Sequence, residues 1–132
     1  MILSSPWRPV AEVNARLTYV ALLGVIRLSG ARMVPSFVRF GFRIDRQLRH
    51  TPGVLGYRVA ADVATLAFYH LSAWTDSAAI QDFVGTAPHV HAVDQLGARL
   101  GDTAFRYWTV TGSDLPMQFR RELHRLGTKP LT

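Results

Sequence analysis

The sequence predicts one α+β domain with the ferredoxin-like order β-α-β-β-α-β, an antiparallel sheet carrying both helices on one face. Three observations carry that expectation. The chain has 132 residues, the usual size of a single domain. Its apolar residues fall either in short strand-like runs or at three- and four-residue helical spacing. Those segments follow one another as strand, helix, strand, strand, helix, strand, with one more helix at the end.

Each element has its own signal. Pro6 and Pro9 interrupt regular structure, so residues 1–15 read as an irregular arm. Residues 17–28 are bulky and apolar at every position parity, as in a central strand covered on both sides. A helix is expected over 33–50, where Phe37, Phe40, Ile44 and Leu48 make one apolar stripe and Pro35 suits the first turn. Thr51-Pro52-Gly53 stops it. Strands follow at 54–60 and 65–74, joined through a short turn at 61–64 that lacks an Asn-Gly signal, so they pair as an antiparallel hairpin. Thr75, Asp76 and Ser77 offer capping oxygens for a helix over 77–84. Gly85 interrupts it, and Pro88 permits a restart that runs to about residue 100. The last strand is expected over 103–111. Ser113 or Asp114 would cap a final helix with Pro116 in its first turn and Met117, Leu123 and Leu126 as anchors. The expected organisation is an arm over 1–15, the ferredoxin-like domain over 16–112, and a C-terminal helix and tail over 113–132.

Composition excludes several chemistries. There is no cysteine, so disulfides, thiolate metal sites and cysteine nucleophiles are absent. That is compatible with a reducing cytosol, and a cytoplasmic location is the expectation. The net charge of +6 would favour an acidic partner or an anionic membrane surface. Its arginines are scattered and the aromatics lie inside predicted strands, which argues against a nucleic-acid partner. No signal peptide is legible, and the longest apolar run, 19–26, is far short of the ~20 residues that span a bilayer. Arg39, Arg43 and Arg46 form a stripe opposite the apolar one. A solvated face is the expected reading, with a dock for an acidic partner as the alternative.

Strand alternation sorts the candidates for function. Tyr69, Leu71 and Ala73 point one way and suit packing under the helices. Phe68, His70, Ser72 and Trp74 point the other way and mix aromatic with polar groups, as a small-molecule pocket does. Tyr57, Tyr107 and Trp108 would add aromatic wall. The alternative is that these aromatics fill a core or a subunit interface. No carboxylate partner for His70 is evident from its strand neighbours, which favours a pocket role as a base. His89 lies where the chain returns over the sheet end, so it is a second candidate base or else a polar cap. His89 and His91 diverge at a helix start, and no metal site is expected. His91 and Asp94 read as a helix-surface pair. Nucleotide-binding glycine motifs and the Gly-x-Ser-x-Gly elbow are both missing. The sheet face away from the helices would be open, and a homodimer covering it is expected.

The stretch Leu71-Ser72-Ala73-Trp74-Thr75-Asp76-Ser77-Ala78-Ala79, followed by Phe83 and Ala87-Pro88-His89, resembles the antibiotic-biosynthesis-monooxygenase superfamily. Gly41-Phe42-Arg43 and Thr51-Pro52-Gly53-Val54-Leu55-Gly56-Tyr57 are similar to spheroidene monooxygenase-like proteins. The resemblance covers about residues 16–110. It implies a dimeric α+β barrel with an apolar pocket in each subunit, lined here by Tyr57, Phe68, Trp74, Phe83, Tyr107 and Trp108. It also implies oxygenation of an aromatic or conjugated substrate, in several members without metal or flavin. Relatives on this fold include cyclases, isomerases and heme proteins. Aligned from Trp74, the heme-degrading branch would need its helical tryptophan at Phe83 and its histidine at Val93, and neither matches. The expectation is therefore an enzyme without a cofactor, with heme ligation by His89 or His70 left open.

Overall fold

The computed structural model describes residues 2–85 and 100–125. The elements are β1 (Ile2–Ser4), β2 (Arg8–Pro9), β3 (Thr18–Leu28), α1 (Val34–Arg49), β4 (Val54–Asp62), β5 (Ala67–Trp74), α2 (Ser77–Val84), β6 (Leu100–Thr111) and α3 (Phe119–Arg125). The sheet runs β1-β4-β5-β3-β6, with β2 also paired to β4, and every pairing is antiparallel. Within it, β4-β5-β3-β6 is the ferredoxin-like order. The apolar run of β3 is explained by its place, flanked on both sides and covered on both faces.

Cross-strand register assigns each residue to a face, because directly paired residues point the same way. Trp74 pairs with Val20 and Val54, Ser72 with Leu22 and Tyr57, and His70 with Gly24 and Val59. These residues face α1 and α2. Leu22, Val54, Tyr57 and Trp74 pack there with Leu48 of α1 and with Ile80 and Phe83 of α2. Further along the same face, Phe68 and Leu28 pack with Phe37 and Phe40 of α1. Asp76 caps α2 by accepting a hydrogen bond from the Ala79 N–H at 2.9 Å.

Tyr69, Leu71 and Ala73 lie on the other face, not under the helices as the sequence suggested. Their cover is the C-terminal segment, with Met117 and Phe119 packed against Tyr19, Ala21, Leu23, Leu71, Ala73 and Val110. Alternation separates the two sets correctly but carries no information about which side the helices take. The face expected to need a second subunit is thus covered at these positions by the chain itself. Arg58 ties the layers together. Its Nη1 donates to the Met117 carbonyl at 3.3 Å, its Nη2 to Ser4 Oγ at 2.9 Å, and its guanidinium lies 5.2 Å from the Phe119 ring centre.

Other local readings change. The N-terminal arm is not wholly irregular, since β1 and β2 extend the sheet beside β4. The hairpin turn lies at 63–66, where Asp62 Oδ1 accepts from the Ala64 and Thr65 N–H groups, an Asx turn in place of Asn-Gly. β6 starts at Leu100, earlier than expected. The last helix starts at Phe119, after a 3-10 turn at Gly112–Asp114, so Pro116 precedes it. The expected helix restart at Pro88, with His89, His91 and Asp94, lies outside the described residues. Among the described residues no helix is long and apolar enough to cross a membrane.

Candidate active site

The helix-facing side of the sheet gathers most of the residues singled out from sequence. Two adjacent rows form the centre. One runs Tyr57, Ser72, Leu22, Tyr107, and the next runs Val59, His70, Gly24, Phe105. His70 is half-buried, while Val59, Phe105 and Tyr107 remain 46%, 54% and 58% exposed. Gly24 is the floor of this patch. A Cβ there would stand 3.0 Å from Phe105 Cε1 and 4.0 Å from His70 Cβ, so the bare backbone lets the Phe105 ring come in beside the histidine. A glycine inside a strand commonly marks such a close approach.

Tyr57 lies diagonally across from His70, with ring centres 6.2 Å apart. Its hydroxyl donates to a carboxylate oxygen of Asp45, and the second Asp45 oxygen accepts from Arg49 Nη2 at 2.7 Å. Burial, and then the hydrogen bond and negative charge of Asp45, raise the Tyr57 pKa well above the ordinary phenol value. The phenol is therefore held neutral, with its ring against the imidazole. Asp45 and Arg49 reach it from α1, a connection between distant segments that no local sequence pattern announces.

The remaining sequence candidates divide. Trp74 is fully buried, its Nε1–H donates to Ser72 Oγ at 2.8 Å, and its ring lies 5.4 Å from Phe83. Trp74 and Phe83 thus fill the core under α2 and do not line the open patch. Phe68 stacks against Phe37 at 4.4 Å. Tyr107 belongs to the patch. Trp108 does not, because adjacent strand residues point to opposite faces, and it packs with the cluster beneath the C-terminal segment. His89 lies outside the described residues. Gly24, Val59, Phe105 and Asp45 are the members that sequence reasoning missed. The isolated glycine inside an apolar strand was the one available signal. Among the described residues no group of three or more His, Asp or Glu side chains converges on a metal-sized site.

No family profile matches the chain, and no curated protein matches it. Solved structures do. A candidate monooxygenase from Fusobacterium nucleatum superposes with TM-score 0.62 at 13% identity, over 74% of this chain and 44% of the other. One from Lactobacillus acidophilus gives 0.63 at 9% identity, over 80% and 51%. A candidate antibiotic biosynthesis monooxygenase from Deinococcus radiodurans gives 0.59 at 19% identity, over 67% and 89%. The chain thus spans about half the length of the first two. At these identities the likeness is one of fold.

Proposed function

We propose that this chain, whose fold is that of the antibiotic biosynthesis monooxygenase-like proteins, is an oxygenase acting on a hydrophobic aromatic or conjugated small molecule. The observation that supports this reading most is the half-buried His70 set among Tyr57, Val59, Phe105 and Tyr107 on the helix-facing side of the sheet. Such a surface binds a flat apolar ring and offers an imidazole that can accept a proton. The neutral Tyr57 hydroxyl is committed to Asp45, so His70 is the base and Tyr57 its positioning neighbour.

In the proposed reaction His70 removes the proton of a phenol-like substrate. The delocalised carbanion gives an electron to dioxygen, and the radical pair forms a carbon–oxygen bond as a peroxide. The peroxide O–O bond then breaks, the ring carbon loses its hydrogen, a carbonyl remains, and the second oxygen atom leaves as water. A phenol and dioxygen thus become a quinone and water, with no outside reductant. The residues hold the ring against the sheet face beside the base.

The test is oxygen uptake with a panel of fused-ring phenols, using wild-type protein and His70→Phe. Uptake by the wild type, and its loss in a folded His70→Phe protein, is the expected result. Full uptake in the variant would make His70 structural and move the base to His89. Product formed equally without oxygen would indicate a cyclase or isomerase working with the same base. A Soret band after heme addition, without turnover, would indicate a binding protein.

A further inference from the structure

The outward side of α1 carries an unusual set of side chains. Phe37, Phe40, Ile44 and Leu48 take the inner face. The opposite flank, by helical periodicity, holds Pro35, Val38, Arg39, Phe42 and Arg46, all exposed. Phe42 is 72% exposed and Val38 41%. Arg43, Arg46, Arg49 and His50 border a hollow of about 560 Å³ beside Phe42. Four arginines and one aspartate lie on this helix, and that aspartate already serves Arg49 and Tyr57. Among the described residues Arg39, Arg43 and Arg46 have no acidic partner.

We propose that this face docks on an anionic phospholipid surface, with Phe42 entering the interface between headgroups and acyl chains and Arg39, Arg43 and Arg46 meeting lipid phosphates. Charge complementarity commits the partner to a polyanion. The lining of the hollow decides which kind. Every lining residue comes from α1 or its C-cap His50, so among the described residues there is no opposing wall to enclose a peptide or a small molecule. An open, one-sided surface of this kind meets a planar one. A phenyl ring at its centre, flanked by Val38 and Pro35, has no role in phosphate contact alone, whereas an aromatic wedge ringed by arginines is the chemistry of an interfacial helix. The surface is separate from the sheet patch around His70, so this inference does not depend on the proposed reaction.

The experiment is co-sedimentation of the full chain with vesicles of pure phosphatidylcholine and of phosphatidylcholine mixed with phosphatidylglycerol. Binding to the mixed vesicles only, weakening with salt, is expected. Replacing the arginines (R39Q/R43Q/R46Q) should lower the partition coefficient by roughly a hundredfold. Phe42→Ala should lower it by about tenfold. All four positions are exposed, and circular dichroism of the variants checks that the fold is kept. No binding to the mixed vesicles at low salt, or binding unchanged in both variants, overturns the proposal. So does binding to polyglutamate or duplex DNA that matches the vesicles and ignores Phe42→Ala, since that is a general polyanion surface.

Discussion

Tyr57 has a pKa consequence that can be measured. Its folded-state pKa lies above the unfolded value near 10.0, because burial and Asp45 disfavour the phenolate. The neutral form is therefore the one the fold favours. Its contribution is fully present below about pH 10 and is lost as pH rises toward the folded pKa. Stability should fall on the alkaline side, and Tyr57→Phe should flatten that fall in urea titrations across alkaline pH. A variant with the wild-type slope would contradict the assignment. Ser72 offers a second test at this scale. It is fully buried and takes the only hydrogen bond recorded for the Trp74 indole among the described residues. Ser72→Ala leaves that N–H buried without an acceptor, which should cost about 1–3 kcal/mol in denaturant unfolding.

At the scale of elements, α1 does two jobs with two faces. Its inner face holds the sheet, and its buried anchors are Phe40 and Leu48. Its outer face is not packed against the sheet, and Arg39, Arg43 and Arg46 are exposed there. Gly41 sits inside this helix with nothing within 4 Å of the position its Cβ would take. Gly41→Ala should therefore raise stability by roughly 0.5–1 kcal/mol, through lost freedom in the unfolded chain and no clash in the folded one. A lower thermal midpoint would show that the helix bends or packs there. Gly53 is the opposite case. Its φ of +92° suits glycine, and a Cβ would fall 2.5 Å from Ala79 Cβ. The same sequence segment, Thr51-Pro52-Gly53, announced the end of α1 for the same conformational reason.

The whole molecule raises the question of assembly. Coverage of the second face by Met117 and Phe119 removes the first reason for a partner, since Ala21, Leu23, Leu71 and Ala73 are already buried. Another reason takes its place. Among the described residues β6 ends the sheet path, is twelve residues long, and bears the exposed Phe105 and Tyr107. A long, aromatic edge is a pairing surface that proteins usually cover. The expected outcome is a homodimer joined along β6, seen by sedimentation and weakened by Tyr107→Lys. A stable monomer at micromolar concentration would refute it.

The order of the described elements from β3 to β6 was legible because strand and helix periods differ and the breakers stand between them. The pairing of Phe68, His70, Ser72 and Trp74 on one side of β5 was legible for the same reason, since a strand alternates with period two whatever surrounds it. That rule also separates Tyr107 from Trp108, a consequence the sequence already contained. Which side the helices take was decided only in three dimensions. Alternation is symmetric between faces, and the choice rests on how α1 and α2 cross the sheet and where the C-terminal segment lies. The site shows the same division. His70, Tyr57 and Tyr107 announce themselves as polar or aromatic groups on strands, whereas Asp45 reaches Tyr57 from α1 and the Phe105 ring lies over Gly24. Such contacts join residues far apart in sequence, so no local pattern encodes them, and only tertiary packing brings them together.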